Sequence, residues 1–353
     1  MRKVELSGRK EKILSAVIER FTATGEPVGS KFLASVLPVA VSPATVRNDM
    51  AYLSEKGFLI QPHTSAGRVP SDKGYRYYIE RLLQSFTPSD SELFRIASGI
   101  DRTQGEADII LSQVCEVLSS LTGCAAAATP LMSDGAVIKS TQVVPISRHS
   151  AMVVAVTSAG AVKSRMARLE TELEYPLIEL FYSVAAANFT GTPAEEFTKA
   201  RLQSVTASLG AQAFSIMPLL ISLYEAVQDA ASPGVVVKGQ SNILSSAAFS
   251  DSAAQIMELL RNGDEMSRLL KMRGGADIEL KIGAENEYSC LRRAALIKAA
   301  YSVKDAGRGC VAVIGPTKMD YSRVIPLVKY ISSLTGSIVS LAVDSCGKED
   351  KIG

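Results

Sequence analysis

The side chains best suited to chemistry in this sequence lie between positions 31 and 68. Arg47 and Asn48 match the edges of bases. A guanidinium bonds guanine O6 and N7 as a pair, and a carboxamide does the same to adenine N6 and N7. Over half of such hydrogen bonds in known complexes go to phosphate and sugar, so base or backbone contact stays open for both. Ser42 and Thr45 stand at the start of the same predicted helix, where hydroxyls and the partial positive charge of a helix N-terminus can hold a phosphate. Capping the helix is an equally good use of Ser42. Lys31 opens the preceding helix, the one that commonly crosses the DNA backbone. His63 and Arg68 fall in the turn-rich stretch Pro62–Pro70. An arginine beside Gly67 at a loop tip can enter a narrow minor groove or bond locally.

Other chemistries find little support. The two histidines, His63 and His149, are far apart, and no H-E-x-x-H occurs, so no metal site is expected. The five cysteines, Cys115, Cys124, Cys290, Cys310 and Cys346, are widely spaced without a C-x-x-C, which reads as reduced, mostly buried thiols of a cytoplasmic protein. No nucleophile, base and orienting group come together in any local pattern, so neither an enzyme nor a cofactor is expected. Gly307-Arg-Gly-Cys-Val-Ala312 is a partial dinucleotide fingerprint, but it precedes a predicted strand. Gly315-Pro-Thr-Lys318 lacks the Walker spacing and reads as a strand-end turn. The sequon Asn188-Phe-Thr190 matters only in a secreted chain. Tyr75, Tyr77 and Tyr78 could stack on bases, yet Tyr75, Tyr78 and Leu82 share helical spacing, which favours packing.

These residues need elements to hold them. Ile13, Leu14, Val17, Ile18 and Phe21 predict a helix that Gly25 stops. After the turn Gly25-Glu-Pro-Val-Gly29, Ser30 is placed to cap a short helix, Lys31–Leu37, ended by Pro38. Ser42 and Pro43 mark the start of a third helix, with Val46, Met50 and Leu53 on one face and Gly57 past its end. Thr45, Arg47, Asn48 and Asp49 are placed on the other face. A brief strand, Phe58–Gln61, a loop, and a second extended piece at Arg68-Val69 follow. Ser71 caps the next helix, and Ser85–Asp90 reads as a linker. Three helices and a hairpin describe a winged helix-turn-helix.

Charge supports the division. The whole chain, 353 residues, carries only +2, with 47% hydrophobic and 21% charged residues. Residues 1–84 hold thirteen Lys and Arg against eight Asp and Glu, a net of +5, which leaves −3 on the rest. A basic head on an acidic body is the asymmetry of a nucleic-acid-binding module joined to another kind of domain. No 18-residue stretch is free of polar interruption and the N-terminus has no apolar run, so neither a membrane span nor secretion is expected.

Beyond residue 91 a helix is predicted over 105–122. Strands follow at Ala125–Thr129, Ala136–Val144 and Ala151–Thr157, with turns at Ser133–Gly135 and Ser158–Gly160. Residues 176–189, 194–231 and 251–272 read as helical, and Val235–Val237 as a short strand. Ile278–Ile282 and Val311–Ile314 read as strands, Ala294–Tyr301 as strand or helix, and Val324–Leu334 as helix. One sheet domain interrupted by a helical insertion fits this order.

The stretches Thr24-Gly-Glu-Pro-Val-Gly-Ser-Lys31, Val41-Ser-Pro-Ala-Thr-Val-Arg-Asn-Asp-Met50, Gln61-Pro-His-Thr-Ser-Ala-Gly-Arg-Val-Pro70 and Asp72-Lys-Gly-Tyr-Arg-Tyr-Tyr78 closely resemble the bacterial heat-inducible transcription repressor family HrcA. Val313-Ile-Gly-Pro-Thr-Lys-Met-Asp-Tyr-Ser-Arg-Val324 is similar to that family's C-terminal signature, and Gly239-Gln-Ser-Asn-Ile-Leu244 more weakly so. The resemblance implies an α+β multidomain protein. A winged helix would span 1–86, a GAF-like antiparallel-sheet domain 91–174 and 251–345, and an inserted, mainly helical dimerisation domain 175–250. It further implies a homodimer on an inverted-repeat operator of double-stranded DNA (CIRCE) ahead of chaperone genes, with repression sustained by the GroEL chaperonin. The seven residues Lys31, Ser42, Thr45, Arg47, Asn48, His63 and Arg68 then form the expected DNA-binding set. The rival expectation is a winged-helix regulator whose sheet domain senses a small molecule, although no convergent polar cluster in 123–170 or 276–316 marks a pocket.

Overall fold

Helix α1 (Gly8–Thr24) forms because Ile13, Leu14, Val17 and Ile18 recur at helical spacing, and all four are buried. Gly25, at φ 77°, ends it in the left-handed conformation that glycine adopts without penalty. Helix α2 (Ser30–Val36) starts one residue before the expected position. Gly29 is its N-cap and Ser30 its first helical residue, so the serine does not cap it. Helix α3 (Pro43–Glu55) starts as expected, with the Ser42 hydroxyl accepting from the Thr45 amide at 3.1 Å. Strands β1 (Leu59–Ile60) and β2 (Val69–Pro70) pair antiparallel, Leu59 opposite Pro70. Helix α4 (Asp72–Tyr77), capped by Ser71, continues as a π-helical turn over Tyr78–Leu82. Gly74 lets α4 lie against β1, because a Cβ there would fall on the Phe58 carbonyl oxygen. This order of helices and hairpin is that of a winged helix.

This computed structural model describes residues 6–38, 41–64, 66–82, 87–101, 107–132, 137–158, 161–231, 234–272, 275–304 and 307–349; at 132, 231 and 342–349 it describes the backbone alone. Part of the expected linker, part of the predicted helix start at 105–106 and the turns at 133–135 and 159–160 lie outside the described residues. Asp90, the expected end of the linker, is instead the first residue of helix α5 (Asp90–Gly99). Ser89 and Glu92 form a capping box there, a Ser-x-x-Glu signal readable in the sequence.

The body continues with α6 (Ala107–Thr122), β3 (Ala125–Met132), β4 (Ile138–Ser147), β5 (Ser150–Thr157), β6 (Val162–Arg168), α7 (Tyr175–Asn188), α8 (Lys199–Ser208) and α9 (Ala213–Ala231). Then come β7 (Val236–Lys238), α10 (Gln240–Ser245), α11 (Ala253–Arg261), α12 (Gly263–Leu270), β8 (Ile278–Ile282), β9 (Ala294–Val303), β10 (Gly307–Pro316) and α13 (Tyr321–Glu349). The predicted helix over 194–231 is broken into α8 and α9, and that over 251–272 into α11 and α12.

Two sheets divide the strands of the body. Five run in the order β7-β3-β10-β9-β8, every pair antiparallel. Helices α6 and α13 cover one face, over Ala126, Ala128, Ile297, Val311 and Val313. Helices α10, α11 and α12 cover the other, over Ala125, Ala127, Leu296, Ala312 and Ile314. Burial on both faces makes β9 and β10 nearly continuous apolar runs, broken in β9 by the buried Lys298, which pairs with Glu279 at 2.8 Å, and settles Ala294–Tyr301 as strand. The partial dinucleotide fingerprint lies inside β10, with Gly309 packed on the Tyr301 ring, and Gly315-Pro-Thr-Lys318 is the strand-end turn into α13.

The second sheet, β4-β5-β6, corrects the expectation of one interrupted sheet. Its strands do not join the five-stranded sheet. Ala151, Val153 and Ala155 alternate with half-exposed residues along β5 and form a separate core with Phe181 of α7 and Leu219, Leu220 and Leu223 of α9. The insertion leaves and re-enters the main sheet between adjacent strands, since Ala126 of β3 faces Lys238 of β7. Two helical stretches, Gly210–Ala230 and Tyr321–Leu341, are long and apolar enough by composition to cross a membrane, contrary to the expectation of no such span. Their apolar faces pack in the two cores: Ile216, Leu219, Leu220 and Leu223 in one, Leu327, Val328 and Ile331 in the other.

Gly74→Ala should destabilise the chain by about 1–3 kcal/mol, since the extra methyl meets backbone that cannot yield without shifting α4. Urea unfolding measures it. Gly8→Ala, where a Cβ meets nothing within 4 Å, is the control and should leave the midpoint unchanged or slightly raised.

Candidate nucleic-acid interface

The seven residues expected to meet DNA all lie in the winged helix, on α2, α3 and the loop between β1 and β2. Lys31 is exposed in the first turn of α2, which packs on α1 and α3 through the buried Leu33. Ser42 and Thr45 are brought together: the two hydroxyls lie 2.9 Å apart and the Ser42 oxygen also accepts the Thr45 amide. Capping is thus the observed role of Ser42. Arg47 and Asn48 follow on the exposed side of α3, one turn from its N-terminus.

Asp49 departs from the expectation. It was placed on the outer face with Arg47 and Asn48, yet it is buried. Arg9 Nε and Nη2 donate to its two oxygens at 2.6 and 3.2 Å, and Lys10 Nζ lies 3.5 Å away. The hydrogen bond from Arg9 holds the Asp49 carboxyl below its ordinary range. Burial opposes this, and the charges of Arg9 and Lys10 add to it. The pair ties α1 to the middle of α3, so the helix bearing Arg47 and Asn48 is fixed from its buried side. Nothing local marks Arg9 and Lys10 in the sequence, because their partner lies 40 and 39 residues away.

The wing is held at its root. Arg68 Nε donates to the Ser54 hydroxyl at 2.9 Å, and the Arg68 backbone exchanges two hydrogen bonds of 2.9 Å with Val28. Gly67 lies flat on the Val28 backbone with no room for a Cβ. Local bonding of Arg68 is therefore what the geometry displays. Ser54 is seven residues from Arg47, about 10 Å along the helix, so the wing root and the candidate readers sit at opposite ends of α3. The Gln61 carboxamide closes the loop by donating to the Thr64 and Ala66 carbonyls at 2.8 and 3.2 Å. His63 is exposed at the bend. Among the described residues no hydrogen bond joins the side chains of Lys31 or His63 to the others.

The tyrosines pack. Tyr75 and Tyr78 are buried, and Tyr77 sets its ring edge-on to Phe58 at 5.3 Å while donating to Glu11 at 2.7 Å. A cleft of about 670 Å³ lies elsewhere, between β9 and α13, with Lys304, Lys329, Ser333 and Ser337 on its walls. Both lysines are exposed, so it offers no buried converging polar set.

Comparison with known proteins adds to this geometry. The family described as HrcA protein C terminal domain matches residues 108–325. The chain is 32% identical over 333 residues to the heat-inducible transcription repressor HrcA of Acetivibrio thermocellus, covering 93% of this chain and 95% of that protein. It is 34% identical over 337 residues to the repressor of the same name from Lactobacillus gasseri, covering 92% and 95%. A crystal structure described as a hypothetical protein aligns over 96% of this chain and all of that one, with a TM-score of 0.62 at 21% identity. That likeness speaks for the fold.

Asp49→Ala should lower stability by about 1–2 kcal/mol at neutral pH, with Arg9 half-exposed and partly screened. The Asp49 carboxyl is held low in the folded state, so its contribution is complete above the unfolded value, near 3.9, and is lost as pH falls through the lower folded one. The gap between wild type and variant should close below about pH 4 in thermal melts.

Proposed function

The chain belongs to the heat-inducible transcription repressor family HrcA, and from that premise we propose that it is a sequence-specific repressor of chaperone genes that binds an inverted-repeat CIRCE operator as a dimer. The observation that carries the reading is α3, with Arg47 and Asn48 exposed near its N-terminal end and the helix anchored from behind by Asp49. In a helix-turn-helix the N-terminal residues of the second helix reach base edges first. Lys31, Ser42 and Thr45 serve the phosphates beside them. His63 and Arg68 carry the wing toward the backbone or minor groove.

Protein and operator symmetry must match, so an inverted repeat calls for a twofold dimer. The dimerising unit is the separately cored insertion, from about 137 to 231, which is longer than the 175–250 expected from sequence. The outer side of its sheet supports this: Val144, Ile146, Val162 and Met166 are exposed although large and apolar. The remaining body is the GAF-like domain. GroEL is the partner that keeps the repressor active in the cytoplasm, and uncovered apolar surface of this kind is what a chaperonin holds.

A gel shift with an inverted-repeat operator and a scrambled control, with and without chaperonin, tests the reading. Arg47→Ala should weaken operator binding by about 1–3 kcal/mol, with specificity relaxed at one base pair if the guanidinium reads a base, and a uniform loss if it holds a phosphate. Binding should also fall steeply with salt as phosphate counterions are released. Unchanged binding by the variant removes Arg47 from the interface.

A further inference from the structure

Helix α4 belongs to two bodies at once. On one side it is part of the winged-helix core, through Tyr75, the Phe58–Tyr77 ring contact and the close approach of Gly74 to Phe58. On its other side two residues one turn apart, Asp72 and Arg76, grip the outer edge of β8. Arg76 Nη2 donates to the Leu280 carbonyl at 2.7 Å, and its guanidinium pairs with Glu285, the Nε contact being 3.1 Å. Asp72 accepts the Ala284 amide at 3.0 Å. Gly283, at φ 54°, brings its Cα against the Asp72 carboxylate, where a Cβ would collide with it. Glu285 also accepts the Ile282 amide at 2.8 Å. Behind these bonds the Tyr75 ring meets the Tyr321 ring of α13 at 5.3 Å.

Strand β8 is an edge strand, and its outward groups would otherwise be unpaired. Here Leu280 C=O, Ile282 N–H and Ala284 N–H each have a partner, two of them supplied by the winged helix. The bonds are charge-assisted and directional, so they fix an angle as well as a contact.

We propose that Asp72 and Arg76 are positioning residues that clamp the winged helix to the edge of β8 and thereby set where the recognition helix stands relative to the body. In a dimer that placement fixes the separation of the two recognition helices, and so the half-site spacing that is read. This consequence rests on the repressor reading above; the clamp itself does not.

The test uses the full chain with Arg76→Ala and Glu285→Ala. Hydrogen exchange should accelerate about tenfold at the Ala284 amide, whose acceptor is Asp72 of the winged helix, while the amides of α1 and α3 keep their protection. Gel shifts on operators whose half-site spacing is varied should show the wild-type preference for one spacing flattened about tenfold, with affinity for a single half-site unchanged. Unchanged exchange at the Ala284 amide overturns the clamp. Accelerated exchange with an intact spacing preference overturns the positioning role. Should Arg76→Ala lose protection throughout the winged helix, Glu285→Gln, which lies outside that core, carries the same measurements. A wild type that prefers no inverted repeat overturns the repressor reading, and the exchange arm still decides the clamp.

Discussion

A strand that is apolar on both sides must be covered on both sides, and the edge of its sheet must be paired or capped. Strands β9 and β10 impose that demand on the body. Helices α6 and α13 meet it on one face and α10, α11 and α12 on the other. The edge at β8 is left to the winged helix, through α4. The core of the winged helix is therefore continuous with that of the main sheet, through Tyr75 and Tyr321. The β4-β5-β6 sheet answers to a different demand. Helices α7 and α9 cover one of its faces, and Val144, Ile146, Val162 and Met166 stay exposed on the other.

Within the head, polar contacts do the aligning that apolar packing leaves open. Val46, Met50 and Leu53 bury one side of α3, but a hydrophobic stripe tolerates some rotation and sliding. The Arg9–Asp49 pair and the Arg68–Ser54 bond restrict both, near the middle and near the end of the helix. The outer side is left to Arg47 and Asn48. The +5 of the head is thus not uniformly available. Arg9, Lys10, Arg76 and part of Arg68 are committed to internal partners, and Lys31, Arg47 and the exposed wing face outward.

Much of the head was legible in the sequence because its signals are local. Ser42-Pro43 start a helix, Gly25 and Gly57 end two, and Ser71 caps another, each through bonds within four or five residues. Asp49 was misplaced because its burial depends on a cation 40 residues earlier. Helix α5 was overlooked although Ser89 and Glu92 announce it. Strand β6 (VKSRMAR) was not singled out, since only Ala167 of its residues is buried and apolar density fails at such an edge. The separation of the two sheets was the larger miss. Its trace was the difference between alternating burial in β5 and continuous burial in β9, which in sequence amounts to a few small residues. The candidate DNA contacts were nameable by residue type and the Ser42 cap by its position, whereas the bond from Arg68 to Ser54 was visible only in three dimensions.

The return of the chain from β3 to β7 has a topological meaning. Those strands are antiparallel neighbours, with Ala126 opposite Lys238 and Ala128 opposite Val236, so everything from 133 to 235 is a single hairpin connection enlarged until it holds a core of its own. Closing a loop grows more difficult only with the logarithm of its length. The main sheet is accordingly almost indifferent to what hangs from that hairpin. The sheet constrains that segment only at its two ends, where β3 and β7 pair, so a change of length within it leaves the folding of the sheet and the head nearly untouched.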